Sequence, residues 1–457
     1  HCVFCPTEAR VPKSYFSDEP AVMRAIRNKY DAFKQVSSRL MQLYLSGHTI
    51  DKIELIIQGG TFSAMDQKYR ESFVKRAFDA ANTDIKMYLL TGKSSAEAGT
   101  SLFASQKTNE TTSQRIVGIT IETRPDWINK QEVIFLRKLG VTRVELGVQC
   151  LQDDILKKVR RGHDVESVVT ATKTLKDAGI KVCYHMMPGM PGTTPEKDIK
   201  DFQTLFNDER FQPDLLKIYP CVVTRDSELI NWFSKGEFVP YNDEILTNLL
   251  IEIKKIIPPY VRIQRLIRDI PKGDIVAGSL ISNLRQGVWG ELQKQGLKCR
   301  CIRCREAKLV NLKEKIWRSQ ISLRETKYKA SGGWEYFLEY IDPKDETLFA
   351  LLRLRFSANL YDKEEPFFKE LKDAVIIREL HTYGVVAPIG KNPIGSVQHF
   401  GLGKLLLKRA EEIARENGYA KIAVTSGIGA REYYKKSGYK EEDTYMVKKL
   451  KMSSNTN

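Results

Sequence analysis

The chain has 457 residues, 42% of them hydrophobic, which suits two or three domains with sizeable cores. No apolar run reaches the roughly 18 residues that a helical membrane span needs, so that class is excluded. With 73 Lys+Arg against 57 Asp+Glu the formal charge is +16, which favours a polyanionic partner, nucleic acid first, over a merely basic surface.

The opening His1-Cys2-Val3 has no Met, no charged n-region and no apolar h-region. It is expected to be the middle of a longer protein and not a signal peptide. Of the eight cysteines, Cys150, Cys183 and Cys221 are scattered, while Cys2 and Cys5 form C-x2-C and Cys299, Cys301 and Cys304 form C-x-C-x2-C. Disulfides between such close neighbours are geometrically awkward, so metal ligation in a reducing cytoplasm is expected. Cys2-Val3-Phe4-Cys5 alone is ambiguous: half a zinc site, a redox pair, or two of three iron–sulfur ligands.

Residues 21–46 read as a helix carrying Arg24, Arg27, Lys29, Lys34 and Arg39, a solvated face or the wall of an RNA groove. From 50 to 220, strand patterns at 52–58, 116–123, 143–149, 181–187 and 215–219 alternate with helical patterns such as 130–139, 165–178 and 196–206. Repeated βα units imply a parallel sheet, open or closed into a barrel. Gly59, Gly60, Glu122, Gln149 and His185 fall at or just past strand C-termini, the rim where barrel chemistry sits. Residues 91–114, rich in Ser, Thr, Gly and Ala, read as an insertion or flexible loop.

Residues 258–330 are crowded with Arg and Lys and read as a connector offering phosphates a basic surface. Cys299, Cys301 and Cys304 supply three thiolates within six residues. Zinc is preferred there over free thiols, with the fourth ligand open among Cys221 and the histidines. Ser331-Gly332-Gly333-Trp334 opens a last unit reaching about Leu450, followed by a polar tail. Within it Gln398-His399-Phe400-Gly401-Leu402-Gly403-Lys404 precedes a helical pattern at 405–416, with strands at 374–381 and 421–424 and a helix and turn at 431–439. The glycines let the backbone approach a phosphate that the free N–H groups of a helix N-terminus receive. The loop resembles the Q/R-x-x-G-x-G/A loop of the acetyltransferase superfamily.

Beyond that loop, the runs Gln58-Gly-Gly-Thr-Phe62, Gly118-Ile-Thr-Ile-Glu-Thr-Arg-Pro-Asp126, Glu145-Leu-Gly-Val-Gln149, Arg161-Gly-His163, His185-Met-Met-Pro188, Arg378-Glu-Leu-His381 and Tyr433-Tyr434 extend the likeness along essentially the whole chain. It resembles the family of the Elongator catalytic subunit, the cysteine-rich connector being similar to archaeal and bacterial members. The resemblance implies an α/β fold: a partial (β/α) radical S-adenosylmethionine (SAM) barrel at 1–257, a zinc-binding connector at 258–330 and a GNAT-like acetyltransferase domain at 331–457. It implies an acyltransferase that uses a [4Fe-4S] cluster, SAM and acetyl-CoA to form 5-carboxymethyluridine at wobble uridine 34 of tRNA, bound by its anticodon stem-loop. A homodimer or Elongator-type partner subunits come with it, and no membrane. Cys2 and Cys5 are then cluster ligands, the third cysteine lying before His1. Gly59, Gly60, Glu122 and Gln149 line SAM. Glu122, Gln149 and His185 are the catalytic candidates on the rim. Lys52, Glu379, Leu380, His381, Thr382, Gln398, Gly401, Leu402, Gly403, Lys404, Tyr433 and Tyr434 hold acetyl-CoA. Two further departures stand out. Pro6-Thr7-Glu8-Ala9-Arg10 follows Cys5 where many relatives are glycine-rich, and the Gly-Gly-Glu of other radical SAM enzymes is Gly-Gly-Thr. The alternative reading is a lysine acetyltransferase of histones or other proteins with the barrel as scaffold.

Overall fold

A computed structural model describes residues 2–9, 11–92, 100–268, 270–281, 283–307, 321–362, 365–383 and 401–451. Gln398, the middle of the 91–114 segment and residues 452–457 lie outside them. Strands β1 (Lys52–Ile57), β2 (Arg115–Thr123), β3 (Arg143–Gln149), β4 (Lys181–Met186) and β5 (Leu215–Ile218) occur where alternation predicts them. After the short β6 (Val223–Thr224), the strand β7 (Arg262–Arg265) completes a six-stranded sheet in the order β1-β2-β3-β4-β5-β7, parallel throughout. One face carries Ile121, Val144, Leu146, Val182, Tyr184 and Leu216, packed under helices. Those helices start where side chains replace missing backbone acceptors: Asp164 receives the N–H of Ser167 at the head of Val165–Asp177, and Asn129 that of Glu132. Because strand side chains alternate, the residues between these apolar positions point to the other face, and there the polar groups gather.

The second sheet has seven strands. Strands β9 (Ser322–Ala330), β10 (Gly333–Ile341), β11 (Leu348–Phe356) and β12 (Val375–Thr382) run antiparallel in sequence. Then β13 (Lys421–Val424) pairs parallel with β12, followed by β15 (Tyr445–Lys449) and β14 (Lys440–Glu442) at the edge. The helix Leu402–Glu416 crosses one face. A two-stranded ribbon joins β6 to β8 (Ile275–Ala277).

The domain limits drawn from sequence do not coincide with breaks in the structure. β7 belongs to the barrel sheet, and Leu284, Val288 and Leu292 of the helix Leu284–Lys294 join the barrel core, so that unit runs well past 257. β9 belongs to the acetyltransferase-like sheet, which therefore begins before 331. The charge-rich composition of 258–330 hid both, because many of its cations are used internally. Arg305 pairs with Glu339, Arg262 with Glu306, and Arg285 donates to the carbonyls of Ile263 and Gln264. Within 91–114, Leu102–Asn109 is a helix capped by Ser101 and not a loop.

One apolar core runs through both units. Ile376, Ala423, Ile428 and Tyr445 cluster with Ile116, Ile119 and Leu139 of the barrel. At Gly427 an added Cβ would lie 2.0 Å from the carbonyl oxygen of Val117, so the two backbones touch where only glycine fits. Contacts gather at the N-terminal ends of barrel strands and at the helix ends and loops beside them, as where Arg355 meets Asp177. Lys181, first in β4, meets Glu379, and Asp214, just before β5, receives Arg378.

Candidate functional site

The C-terminal ends of the barrel strands hold the first cysteine pair. The loop of Val3 is pinned by its N–H to Val159 and by its carbonyl to Leu229 N–H. Cys2 and Cys5 border an apolar cluster of Val3, Phe4, Cys150, Val159, Cys221 and Leu229. Arg161 Nη1 donates to Cys2 Sγ at 3.5 Å and Ser14 Oγ to Cys5 Sγ at 3.2 Å. A hydrogen bond from the Cys5 thiol lowers Cys2 against its burial, helped by the Arg161 guanidinium, while Cys5 is pushed up by sharing that proton and by burial. Two soft sulfur donors, one anionic beside a fixed cation and walled by apolar groups, fit an iron–sulfur cluster.

Next to them, Glu122 lies one residue before the end of β2, on the polar face. It accepts from Tyr15 OH at 2.5 Å and from Gly59 N at 3.4 Å. Gly60 has φ +83°, and a Cβ there would crowd the Lys13 carbonyl at 3.2 Å, so the loop bearing Tyr15 lies over the Gly59–Gly60 turn. Gln149, at φ +79°, turns the chain out of β3 as its carbonyl takes the N–H of Met187.

Below the rim, Glu145 lies at the centre of a buried array. Its Oε2 receives His185 Nε2 at 2.9 Å and also Lys217 Nζ, whose second carboxylate is Glu122 at 3.7 Å. Despite burial, His185, Lys217 and Arg143 hold Glu145 down at about 2. Burial pushes the Cys183 thiol well up. Cys183, Glu145 and His185 bring their donor atoms within 4.8 Å of one another, but the ammonium of Lys217 already occupies the carboxylate. Neither Glu145 nor Lys217 was singled out as a site residue from sequence. The available signal was a charged residue at every second position of otherwise apolar strands, as in Arg143-Val-Glu145 and Leu216-Lys217-Ile218.

The second site is a splay in the other sheet. β12 and β13 pair only through Val375–Ile377, the last bond running from Thr425 N to Ile377 O; from Arg378 onward β12 has β11 alone. The helix Leu402–Glu416 begins beside this gap with Gly401 at φ +68° as its cap. Its first-turn N–H groups have no intrahelical acceptor. A Cβ on Gly403 would lie 2.9 Å from Tyr433 OH, 3.7 Å from Thr382 and 3.9 Å from Leu380, so these predicted residues converge. Tyr434 is buried and packs edge-on to Tyr433 and Tyr439. The Glu379 carboxylate is taken by Arg353 at 2.8 Å and Lys181 at 3.3 Å, and these cations hold it far below the usual range although it is buried. His381 packs against Tyr383, the two rings tilted at 50° with centroids 4.4 Å apart. Lys52 opens β1, at the barrel end that faces this sheet and two residues from Glu54, whose charge acts on His381.

Cys299, Cys301 and Cys304 converge, with their sulfurs within 4.8 Å and Lys254 Nζ 3.6 Å from Cys304 Sγ. Cys221 does not join them. It packs beside Cys2 and Cys5, which removes it as a fourth ligand.

The Radical SAM superfamily model matches residues 1–205 and the Radical_SAM C-terminal domain model residues 213–294. The chain is 44% identical to the tRNA uridine(34) acetyltransferase of Methanocaldococcus infernus, over 98% of this chain and 82% of that protein. It is likewise 44% identical to that of Dehalococcoides mccartyi, over 98% and 94%. It is 39% identical to human Elongator complex protein 3, over 98% and 80%. The solved archaeal Methanocaldococcus infernus Elp3 with an N-terminus deletion superposes with a TM-score of 0.84 over 93% of this chain and 97% of that one.

Proposed function

Because the chain belongs to the radical SAM family of tRNA uridine(34) acetyltransferases, we propose that it transfers the two-carbon unit of acetyl-CoA to C5 of wobble uridine 34, leaving 5-carboxymethyluridine. The observation that carries this reading is the placement of two sites at opposite ends of one barrel sheet. Cys2, Cys5 and Arg161 stand at the C-terminal ends of the strands, and the β12–β13 splay faces their N-terminal ends. The family's [4Fe-4S] cluster and SAM supply, when bound, an electron and a carbon radical.

The chain's own residues hold and orient. Cys2 and Cys5 offer two cluster ligands, and Arg161 offsets their charge. Glu122, Gly59, Gly60 and Gln149 shape the SAM rim. The N-terminus of Leu402–Glu416 receives the CoA pyrophosphate, with Gly403 admitting the backbone and Thr382, Leu380 and Tyr433 walling the arm. His185, fixed by Glu145, presents its other ring nitrogen on the polar face as a proton donor or acceptor. Zinc on Cys299, Cys301 and Cys304 stiffens the connector. Arg27, Lys29, Lys34 and Arg39 are exposed and make no ion pair among the described residues, a strip suited to RNA phosphates. A flexible anticodon loop lets its base leave the stack without breaking a duplex. No helix among the described residues is long and apolar enough to cross a membrane, and the proposed setting is the cytoplasm.

The test is anaerobic incubation of reconstituted full-length protein with SAM, a reductant, acetyl-CoA and tRNA, followed by nucleoside mass spectrometry. Carboxymethyluridine that disappears in Cys5→Ala supports the reading. Unmodified tRNA with a loaded cluster, together with acetylated protein lysines, shifts it to the protein acetyltransferase.

A further inference from the structure

A cavity of about 250 Å³ opens one helical turn beyond the phosphate cradle, between Leu402–Glu416 and the residues Lys436 and Ser437 that follow the helix Arg431–Lys435. It is lined by Lys404, Leu407, Lys408, Glu411, Lys436, Ser437 and Lys448. The one carboxylate in that lining, Glu411, is already engaged: Lys448 Nζ lies 2.8 Å away, Tyr439 OH donates at 3.0 Å and Arg415 stands at 3.7 Å. Lys448 also donates to the Ser437 carbonyl. Lys404 and Lys436 make no ion pair among the described residues, and Lys408 has only Glu412 at 3.9 Å. Three cations therefore face one small cavity with little internal compensation. Nothing in the packing requires them there, since all three side chains are exposed.

Their position indicates what they meet. Lys404 and Lys408 are one turn apart on the face of the helix whose N-terminus forms the cradle, about 6 Å along the axis. Lys436 comes from the segment after Tyr433, whose hydroxyl touches Gly403. A ligand with its pyrophosphate at residues 401–404 thus has the cavity within one ribose of it.

We propose that Lys404, Lys408 and Lys436 form a subsite for a phosphate monoester dianion, the 3′-phosphate on the adenosine of CoA, and so select CoA esters over their dephospho forms. The inference rests on the acetyl-CoA reading above. Three ammonium groups around a dianion gain charge-assisted hydrogen bonds, though solvent screens them at this exposure. Leu407 and Ser437 complete the lining between the lysines.

The experiment is calorimetric titration of the full chain with acetyl-CoA and acetyl-dephospho-CoA, for wild type and for Lys408→Ala/Lys436→Ala, with melting temperatures as the folding control. Wild type should prefer acetyl-CoA about tenfold, about 1.4 kcal/mol. The double variant should lose most of that preference, bind acetyl-dephospho-CoA as wild type does, and melt unchanged. Equal wild-type affinity for the two esters overturns the subsite but leaves the acetyl-CoA reading intact. Failure of both esters to bind overturns that reading itself. A variant that keeps the tenfold preference but binds tRNA more weakly assigns the lysines to RNA phosphates and overturns the proposal.

Discussion

Replacing Glu145 with Gln keeps the size of the side chain and removes only its charge. Lys217, nine-tenths buried, then keeps only Glu122 at 3.7 Å, and His185 loses the carboxylate that fixes its ring. Glu145 stands at about 2 against an ordinary 4.5. At about 1.4 kcal/mol per unit, that difference is worth about 3 kcal/mol at neutral pH, in line with the cost of breaking a buried pair. The sign follows from the direction. A carboxyl lowered on folding contributes its full stability above its unfolded value and loses it as pH falls toward the folded one. Urea unfolding of wild type and Glu145→Gln should therefore differ by about 3 kcal/mol from pH 7 down to about pH 5, and the gap should close between about pH 4.5 and 2. Lys217→Met in the Glu145→Gln background should recover part of the loss, because it removes the stranded ammonium. A gap below about 1 kcal/mol, or one that does not change with pH, would refute the electrostatic account.

Gly403→Ala forces a Cβ to within 2.9 Å of Tyr433 OH and should weaken acetyl-CoA binding about tenfold, with Tyr433→Phe restoring part of it in a titration. Cys301→Ser should abolish a stoichiometric zinc signal in elemental analysis and lower the melting temperature, while the iron content of the reconstituted cluster stays unchanged. Arg378→Met leaves Asp214 and Glu335 buried without their shared partner and should cost about 3–5 kcal/mol, read as loss of a single cooperative transition in calorimetry.

Most of the barrel was legible because its strands alternate with helices at regular intervals and each strand is a short apolar run. β7 was not, since Arg262-Ile-Gln-Arg265 has one apolar residue and takes its place from its neighbours β5 and the connector. The gap beside the helix Leu402–Glu416 was legible from Gly401 and Gly403: Gly401 turns at φ +68°, and Gly403 leaves no room for a Cβ beside Tyr433 OH. The Glu145–Lys217–His185 array was only half legible. His185 drew notice at a strand end, but its two partners are charged residues in apolar strands, and only the sheet's register brings them together.

The least legible feature has the greatest bearing on how the two units are held together. Arg353, Arg355 and Arg378 are fully buried in β11 and β12, where a sequence reading expects apolar side chains. Each reaches across to the barrel: Arg378 to Asp214, Arg355 to Asp177, Arg353 to the carbonyl of Tyr260. Glu335 and Glu379 complete the network from the acetyltransferase-like side. An apolar interface of this area would hold as well and tolerate sliding, whereas buried bidentate pairs fail if either surface shifts by an ångström. The network therefore fixes the register of β12 against the strand ends of the barrel. β12 is also the strand whose continuation past Ile377 walls the cleft, so the same arginines that lock the two units fix where that cleft opens against the barrel. Loosening the interface without unfolding either domain, as Lys181→Ala does by removing an outer contact to Glu379, should leave SAM cleavage in place and reduce transfer to tRNA. A variant in which cleavage and transfer fall together would show that the register serves stability alone.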